Sequence, residues 1–198
     1  MNQFSAMIVA SLVGLTLSTS AWAAKYQLDV SHTEIGFSVK HLVISKVKGH
    51  FGKFDGGFDY DSKAKTVTNV DIKIQSASVD TNDKKRDEHL SSPDFFDVAK
   101  FPVIEFKADK ITGVEAGKTF KVPGTLTLHG VTKPVTLDVE FRGAATDPWG
   151  NEHLAFGATT EVKRADWGVK WNKSMDKGGV VVGEDVSIAI ESEGVKAK

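Results

Sequence analysis

Apolar and polar side chains alternate with a period of two along most of the chain. Ile35, Phe37 and Val39 alternate with Gly36, Ser38 and Lys40, and Val70, Ile72 and Ile74 with Asp71, Lys73 and Gln75. The same pattern recurs at Ile104-Phe106-Ala108, Leu126-Leu128, Val135-Leu137-Val139-Phe141 and Val186-Ile188-Ile190. Each run predicts a strand with one dry and one wet face, as in antiparallel sheets. Parallel sheets, covered on both faces, would read as continuous apolar stretches. Asp61–Ala64, Glu115–Lys118 and His129–Pro134 supply turn residues between the runs. Gly56-Gly57, inside a strand-like stretch, predicts a bulge or sharp bend.

One segment breaks the period. Residues 81–99 open with polar residues and carry Ser92-Pro93-Asp94 in the middle. Thr81 or Asn82 is expected to cap a short helix, with Asp83 near its positive end. Ser92 followed by Pro93 predicts the start of a second one, presenting Phe95 and Phe96 for packing. This helical insert is a candidate cover for one end of a barrel. Eight or nine alternating strands with a common apolar face leave two architectures, a closed barrel or a two-sheet sandwich. An eight-stranded barrel interior can just hold one elongated small ligand. Periodicity does not distinguish a hollow interior from a filled core, which the same Val, Ile, Leu and Phe pattern would serve equally well.

The N-terminus stands apart from this domain. Met7–Leu17 is almost wholly apolar or small, and Ala21-Trp22-Ala23 places small residues at the −3 and −1 positions of a cleavage site. Residues 1–23 are therefore expected to be an export signal cut before Ala24, leaving residues 24–198 as one domain. The apolar run is about half of what spans a bilayer, and no later stretch is long and apolar enough to do so. The mature protein is expected to be soluble and exported.

Composition narrows the function classes. Lys and Arg number 25 against 26 Asp and Glu, for a formal net charge of −1, which lacks the basic excess of a nucleic-acid binder. With no Cys there is no disulfide framework, thiolate metal site or Cys nucleophile. The six His residues form no HExxH or HxH pattern, so no metal site is assigned. Neither GxSxG, SxxK nor a Gly-rich phosphate loop occurs, and the chain is not expected to be an enzyme or to carry a cofactor.

An ordered set of short segments resembles the YceI-like family across the whole mature domain. It begins with Tyr26-Gln27-Leu28-Asp29, Ser31-His32 and Phe37-Ser38-Val39-Lys40-His41-Leu42, then Gly49 and Phe51. It continues through Ser78–Asn82, Arg86–Leu90, Asp94–Asp97, Phe101-Pro102 with Ile104 and Phe106, and Gly124–Leu128. Gly130–Val135 and then Arg164, Asp166, Trp167 and Gly168 complete it. The resemblance implies an all-β, eight-stranded antiparallel, lipocalin-like barrel in the periplasm. It also implies a carrier holding a polyisoprenoid lipid, such as an isoprenoid quinone or polyprenyl chain, without covalent chemistry.

Burial of such a tail gains roughly 25 cal/mol per Å2 and needs no directional contacts. The lumen candidates are Phe37, Val39, Ile72, Ile74, Phe106, Leu126, Leu128, Leu137, Val139 and Phe156. Ordinary core packing is the plain alternative for each. His41, which shares the parity of Phe37 and Val39, and the i, i+3 pair Arg86 and His89 are candidates for the barrel mouth, facing a carbonyl or phosphate headgroup. The alternative for Arg86 is a solvated helix face with a weak ion pair to Asp80, Asp83 or Asp87. Arg164, Asp166 and Trp167 are expected to lock a strand-to-loop turn. The rival to the carrier is a secreted stress-response or interaction protein with a filled core. A homodimer is among the oligomeric states the sequence leaves open.

Overall fold

The computed structural model describes residues 23–176 and 178–198, so the expected export signal lies outside the described residues except for Ala23. In chain order the strands are β1 (Ala24–Leu28), β2 (Glu34–His41), β3 (Ser45–Phe51), β4 (Phe54–Asp61), β5 (Thr66–Gln75) and β6 (Val79–Asp80). A helix, α1 (Lys84–Ser91), precedes β7 (Val103–Thr112), β8 (Lys118–Leu128), β9 (Val131–Thr146), β10 (Glu152–Lys163) and β11 (Val182–Lys196).

These eleven segments of the described residues make eight long antiparallel strands. β1 and β2 lie in succession along one edge of β11: Leu28 pairs with Gly194, and Glu34 pairs with Glu191. β3 runs on into β4 across Gly52-Lys53, and β5 runs on into β6 through a single 3-10 turn at Ser76–Ser78. Each long strand pairs with the next in sequence, and β11 pairs back to β1 and β2. The result is a closed up-and-down barrel, which leaves no free edge. The sandwich alternative is excluded by that closure.

Alternation translates into inward and outward faces as the sequence predicts. Phe120, Val139, Ala158, Ile190 and Ile35 succeed one another across five strands in a single rung. The bend expected at Gly56-Gly57 is present as a register shift between Gly57 and Asp59. A Cβ at Gly56 would lie 2.1 Å from the Asp71 carbonyl oxygen, and one at Gly57 2.1 Å from that of Tyr26. Neighbouring backbones approach too closely there for any side chain.

The insert differs from expectation in two places. The cap of α1 is Asp83, not Thr81 or Asn82, and its carboxylate accepts from the Lys85 and Arg86 amides, each at 3.1 Å. Asn82 takes a left-handed conformation (φ 60°) that turns the chain, and the Thr81 hydroxyl is committed to Asp87. No second helix follows. Ser92 closes α1 instead: its amide and hydroxyl both donate to the His89 carbonyl. The Phe95 and Asp97 amides then donate to the Ser92 carbonyl, folding the segment into consecutive turns.

The buried side chains divide into two groups. Tyr26, Phe58, Tyr60, Val114, Phe141 and Leu154 pack at the end that carries the β4–β5, β7–β8 and β9–β10 turns. Ile35, Phe51, Ile74, Val79, Ile104, Leu126 and Trp167 pack toward the other end, beneath α1. Between and above them lies open space.

Candidate functional site

The barrel encloses an apolar cavity of about 620 Å3 that opens at the α1 end. That volume falls within the range of about 300–1,000 Å3 usual for small-molecule sites. Its floor is Phe58, Val67, Ile111, Phe120 and Phe156. Below the floor the barrel is filled by joined aromatic rings. Tyr26 stacks on Phe58 with centroids 5.6 Å apart, and Tyr60 meets Phe141 edge-on at 5.7 Å. Phe156 bridges to both groups, 4.8 Å from Phe141 and 5.5 Å from Phe58.

All ten side chains predicted for the lumen border this space. Ile72, Phe106 and Leu126 sit opposite one another across β5, β7 and β8 and form one wall. Ile74 and Leu128 extend that wall toward the opening, and Leu137 and Val139 of β9 continue it around the barrel. Phe37 and Val39 of β2 line the opposite side, and Phe156 lies low on β10. Gly49 gives Phe37 its place: a Cβ there would lie 2.5 Å from the Phe37 ring.

His41, Arg86 and His89 stand at the opening, as their parity and helix spacing predict. Arg86 forms no ion pair with Asp80, Asp83 or Asp87 among the described residues. Its Nε donates to the Thr81 hydroxyl at 2.7 Å and its Nη2 to the Thr81 carbonyl at 2.7 Å. The Thr81 hydroxyl in turn donates to Asp87 at 2.6 Å, so Thr81 positions the guanidinium over the rim. His89 lies edge-on to Phe95 and Trp171, with centroids 5.0 and 4.9 Å away, and shares a 3.0 Å hydrogen bond with Asp94.

Sequence reasoning missed several rim residues. Trp171 and Val181 belong to the segment between β10 and β11, which has no periodic pattern to mark it, and Val182 is the first residue of β11. Arg164, expected only to lock a turn, does that and also borders the cavity. It donates to the carbonyls of Gly183 at 2.8 Å and of Val169 and Trp171 at 2.9 Å each. Burial lowers its pKa from the usual guanidinium value, yet a guanidinium remains charged in a protein. Trp167 completes the lock by donating its indole N–H to the Leu126 carbonyl at 3.0 Å.

Polar groups at the closed end hold the fold rather than face the cavity. The Tyr26 hydroxyl donates to Glu152; burial first, and that bond second, raise the phenol pKa well above its usual value. The same bond is the main cause lowering the pKa of Glu152. On the outside, Asp29, His153 and Glu193 converge, the one such grouping of possible metal ligands among the described residues. The His153 ring is held between Glu193 at 3.3 Å and Asp147 at 3.2 Å. Asp147 is lowered to a pKa of about 2, chiefly by its hydrogen bond from Asn151.

A closed antiparallel barrel with a deep apolar cavity and a polar rim places the molecule in the lipocalin-like class. The chain belongs to the YceI-like family, whose domain model matches residues 26–194. A UPF0312 protein of Vibrio parahaemolyticus is 40% identical over 159 residues, covering 79% of this chain and 84% of the relative. The crystal structure of the Campylobacter jejuni YCEI protein superposes with a TM-score of 0.68 at 33% identity, over 86% of this chain and 97% of that one. A polyisoprenoid binding domain from Saccharophagus degradans shares the fold, with a TM-score of 0.62 at 18% identity over 88% and 99% of the two chains.

Proposed function

We propose that the protein is an exported, periplasmic carrier that shelters the apolar tail of a polyisoprenoid lipid, an isoprenoid quinone or polyprenyl chain, in the barrel lumen. One observation carries the reading: the mouth half of the interior is a 620 Å3 apolar cavity with an opening, not a close-packed core. A tail burying about 400 Å2 gains roughly 10 kcal/mol before the costs of immobilisation, enough to hold a lipid without specific polar contacts. His41, Arg86 and His89 would then meet the headgroup. Binding is reversible burial and makes or breaks no covalent bond. The polyisoprenoid-binding relative of like fold supports this class of ligand, and the apolar stretch before Ala24 supports export. The cavity also favours a carrier over an interaction protein with a filled core.

Tryptophan fluorescence tests the reading. Trp171 borders the cavity, whereas Trp149 is 84% exposed far from it. Titrating delipidated protein with a short-chain ubiquinone is expected to quench emission saturably, and Trp171→Phe is expected to remove most of that signal. Quenching that is linear in quinone and identical in the variant would contradict internal binding.

A further inference from the structure

The lip of the cavity carries a feature that neither the fold nor an enclosed ligand requires. The turn between β2 and β3 is built from Leu42, Val43 and Ile44, and Val43 and Ile44 are 66% and 86% exposed. Leu42 and Val43 both take left-handed conformations, with φ of 51° and 66°. Tight hairpin turns of this hand normally use Asn or Gly, and a β-branched residue there is strained. This turn therefore holds Val43 and Ile44 in water, Val43 itself on an unfavourable left-handed backbone. Across from it, the segment before β11 is tied to the turn by the Leu42 amide, which donates to the Val181 carbonyl at 2.9 Å. That segment exposes Val180, which is 38% accessible.

Charge surrounds this apolar tip with one dominant sign. Lys40, Lys46 and Lys48 flank it on β2 and β3, and Lys170 and Lys173 lie on the facing segment; all five are exposed. None forms an ion pair among the described residues. Asp176 is the one acid described between Lys40 and Lys48 and between Lys170 and Val182; Glu184 and Asp185 follow beside Lys40 in β11, Asp185 paired with Lys163, so the lysines stay in excess. Across the mouth, Lys84, Lys85 and Arg86 of α1 are matched by its cap Asp83 with Asp87 and Glu88, so that lip carries no basic excess. His41 and Val181-Val182, adjacent in sequence to these residues, line the cavity opening.

We infer that the Val43–Ile44 turn, with Val180 and its ring of lysines, docks the barrel mouth-first on an anionic phospholipid bilayer. The apolar side chains enter the acyl boundary while the lysines meet lipid phosphates, the two contributions that together give reversible interfacial binding. Docked in this way, the cavity faces the membrane, and an apolar tail passes between bilayer and lumen without crossing water. The inference rests on the carrier reading for its purpose, but the docking can be measured without it.

The test is flotation of the mature protein with phosphatidylglycerol-containing vesicles and with neutral phosphatidylcholine vesicles, at low and high salt. The wild type is expected to float with the anionic vesicles and to be released by salt. Val43→Ser/Ile44→Ser is expected to reduce bound protein roughly tenfold, and Lys46→Gln or Lys173→Gln about fivefold each. Quenching by short-chain ubiquinone added from solution should be unchanged in all of these, which also shows that they are folded. Equal flotation of wild type and the Val43/Ile44 variant overturns the inference, as does a wild type that ignores anionic vesicles. A concentration-dependent dimer abolished by the same variant, without vesicle binding, assigns the tip to self-association and overturns it too. Flotation without quinone quenching would instead remove the carrier reading and leave the docking surface standing.

Discussion

The two ends of the barrel obey one alternation and differ in what they enclose. At the closed end Tyr26, Phe58, Tyr60, Phe141 and Phe156 touch ring to ring, and Leu154 and Val114 have no solvent exposure. Toward the mouth the inward positions are mostly Val, Leu and Ile, which reach less far across a barrel of this girth and leave a cavity. Bulk at inward positions thus decides whether a rung is core or container. The ends also differ in how they are secured. The closed end is held by packing and the Tyr26–Glu152 bond, and the mouth by Arg164 gripping three backbone carbonyls.

Truncation should separate the two ends most sharply. Leu154→Ala is expected to cost about 3–5 kcal/mol, because a filled site cannot collapse around the lost atoms. Leu128→Ala, beside space that is already open, should cost less than about 1.5 kcal/mol. Urea unfolding of the delipidated proteins compares them, and equal losses would erase the distinction. Arg164→Met follows, at about 2–4 kcal/mol, since it leaves buried carbonyls without donors. Hydrogen exchange should rise in residues 169–183 of that variant and stay unchanged at the closed end.

Tyr26→Phe should cost about 1 kcal/mol and alter the pH dependence of stability. Glu152 has a folded pKa below its ordinary 4.5, so it stabilises above that value and the contribution is lost as pH falls through the folded pKa. Tyr26 has a folded pKa above its ordinary 10.0, so its contribution is present below pH 10 and lost as pH rises beyond it. Removing the hydroxyl should flatten both flanks of the curve, which thermal melts across pH would record. The smallest effect on stability belongs to Leu137→Trp. Filling the cavity should change stability by less than about 1 kcal/mol while abolishing saturable quinone quenching, whereas overpacking a dense core costs about 1–3 kcal/mol.

The strands were legible because a half-buried strand must alternate, and the inward parity of residues such as Leu137 and Phe106 follows directly. The hollow was not legible, since it depends on how far side chains from opposite strands reach, a property of the closed barrel and not of any one run. Nor was the rim. Trp171 and Arg164 flank an aperiodic segment, and Arg86 reaches the mouth through Thr81, a contact fixed only once β6 and α1 meet. The cap of α1 shows a related limit: Thr81, Asn82 and Asp83 are all competent caps, and the choice fell to Asp83 because Thr81 had a better partner in Asp87. The Tyr26–Glu152 bond joins residues 126 positions apart, beyond any local pattern.

Native mass spectrometry of the protein produced in bacterial cells and purified without detergent tests most directly whether the interior holds a guest. The account predicts a non-covalent adduct whose mass and organic-solvent extractability are those of an isoprenoid, missing from Leu137→Trp. A wild-type protein recovered repeatedly at its bare polypeptide mass, and still bare after incubation with polyprenyl lipid, would contradict it.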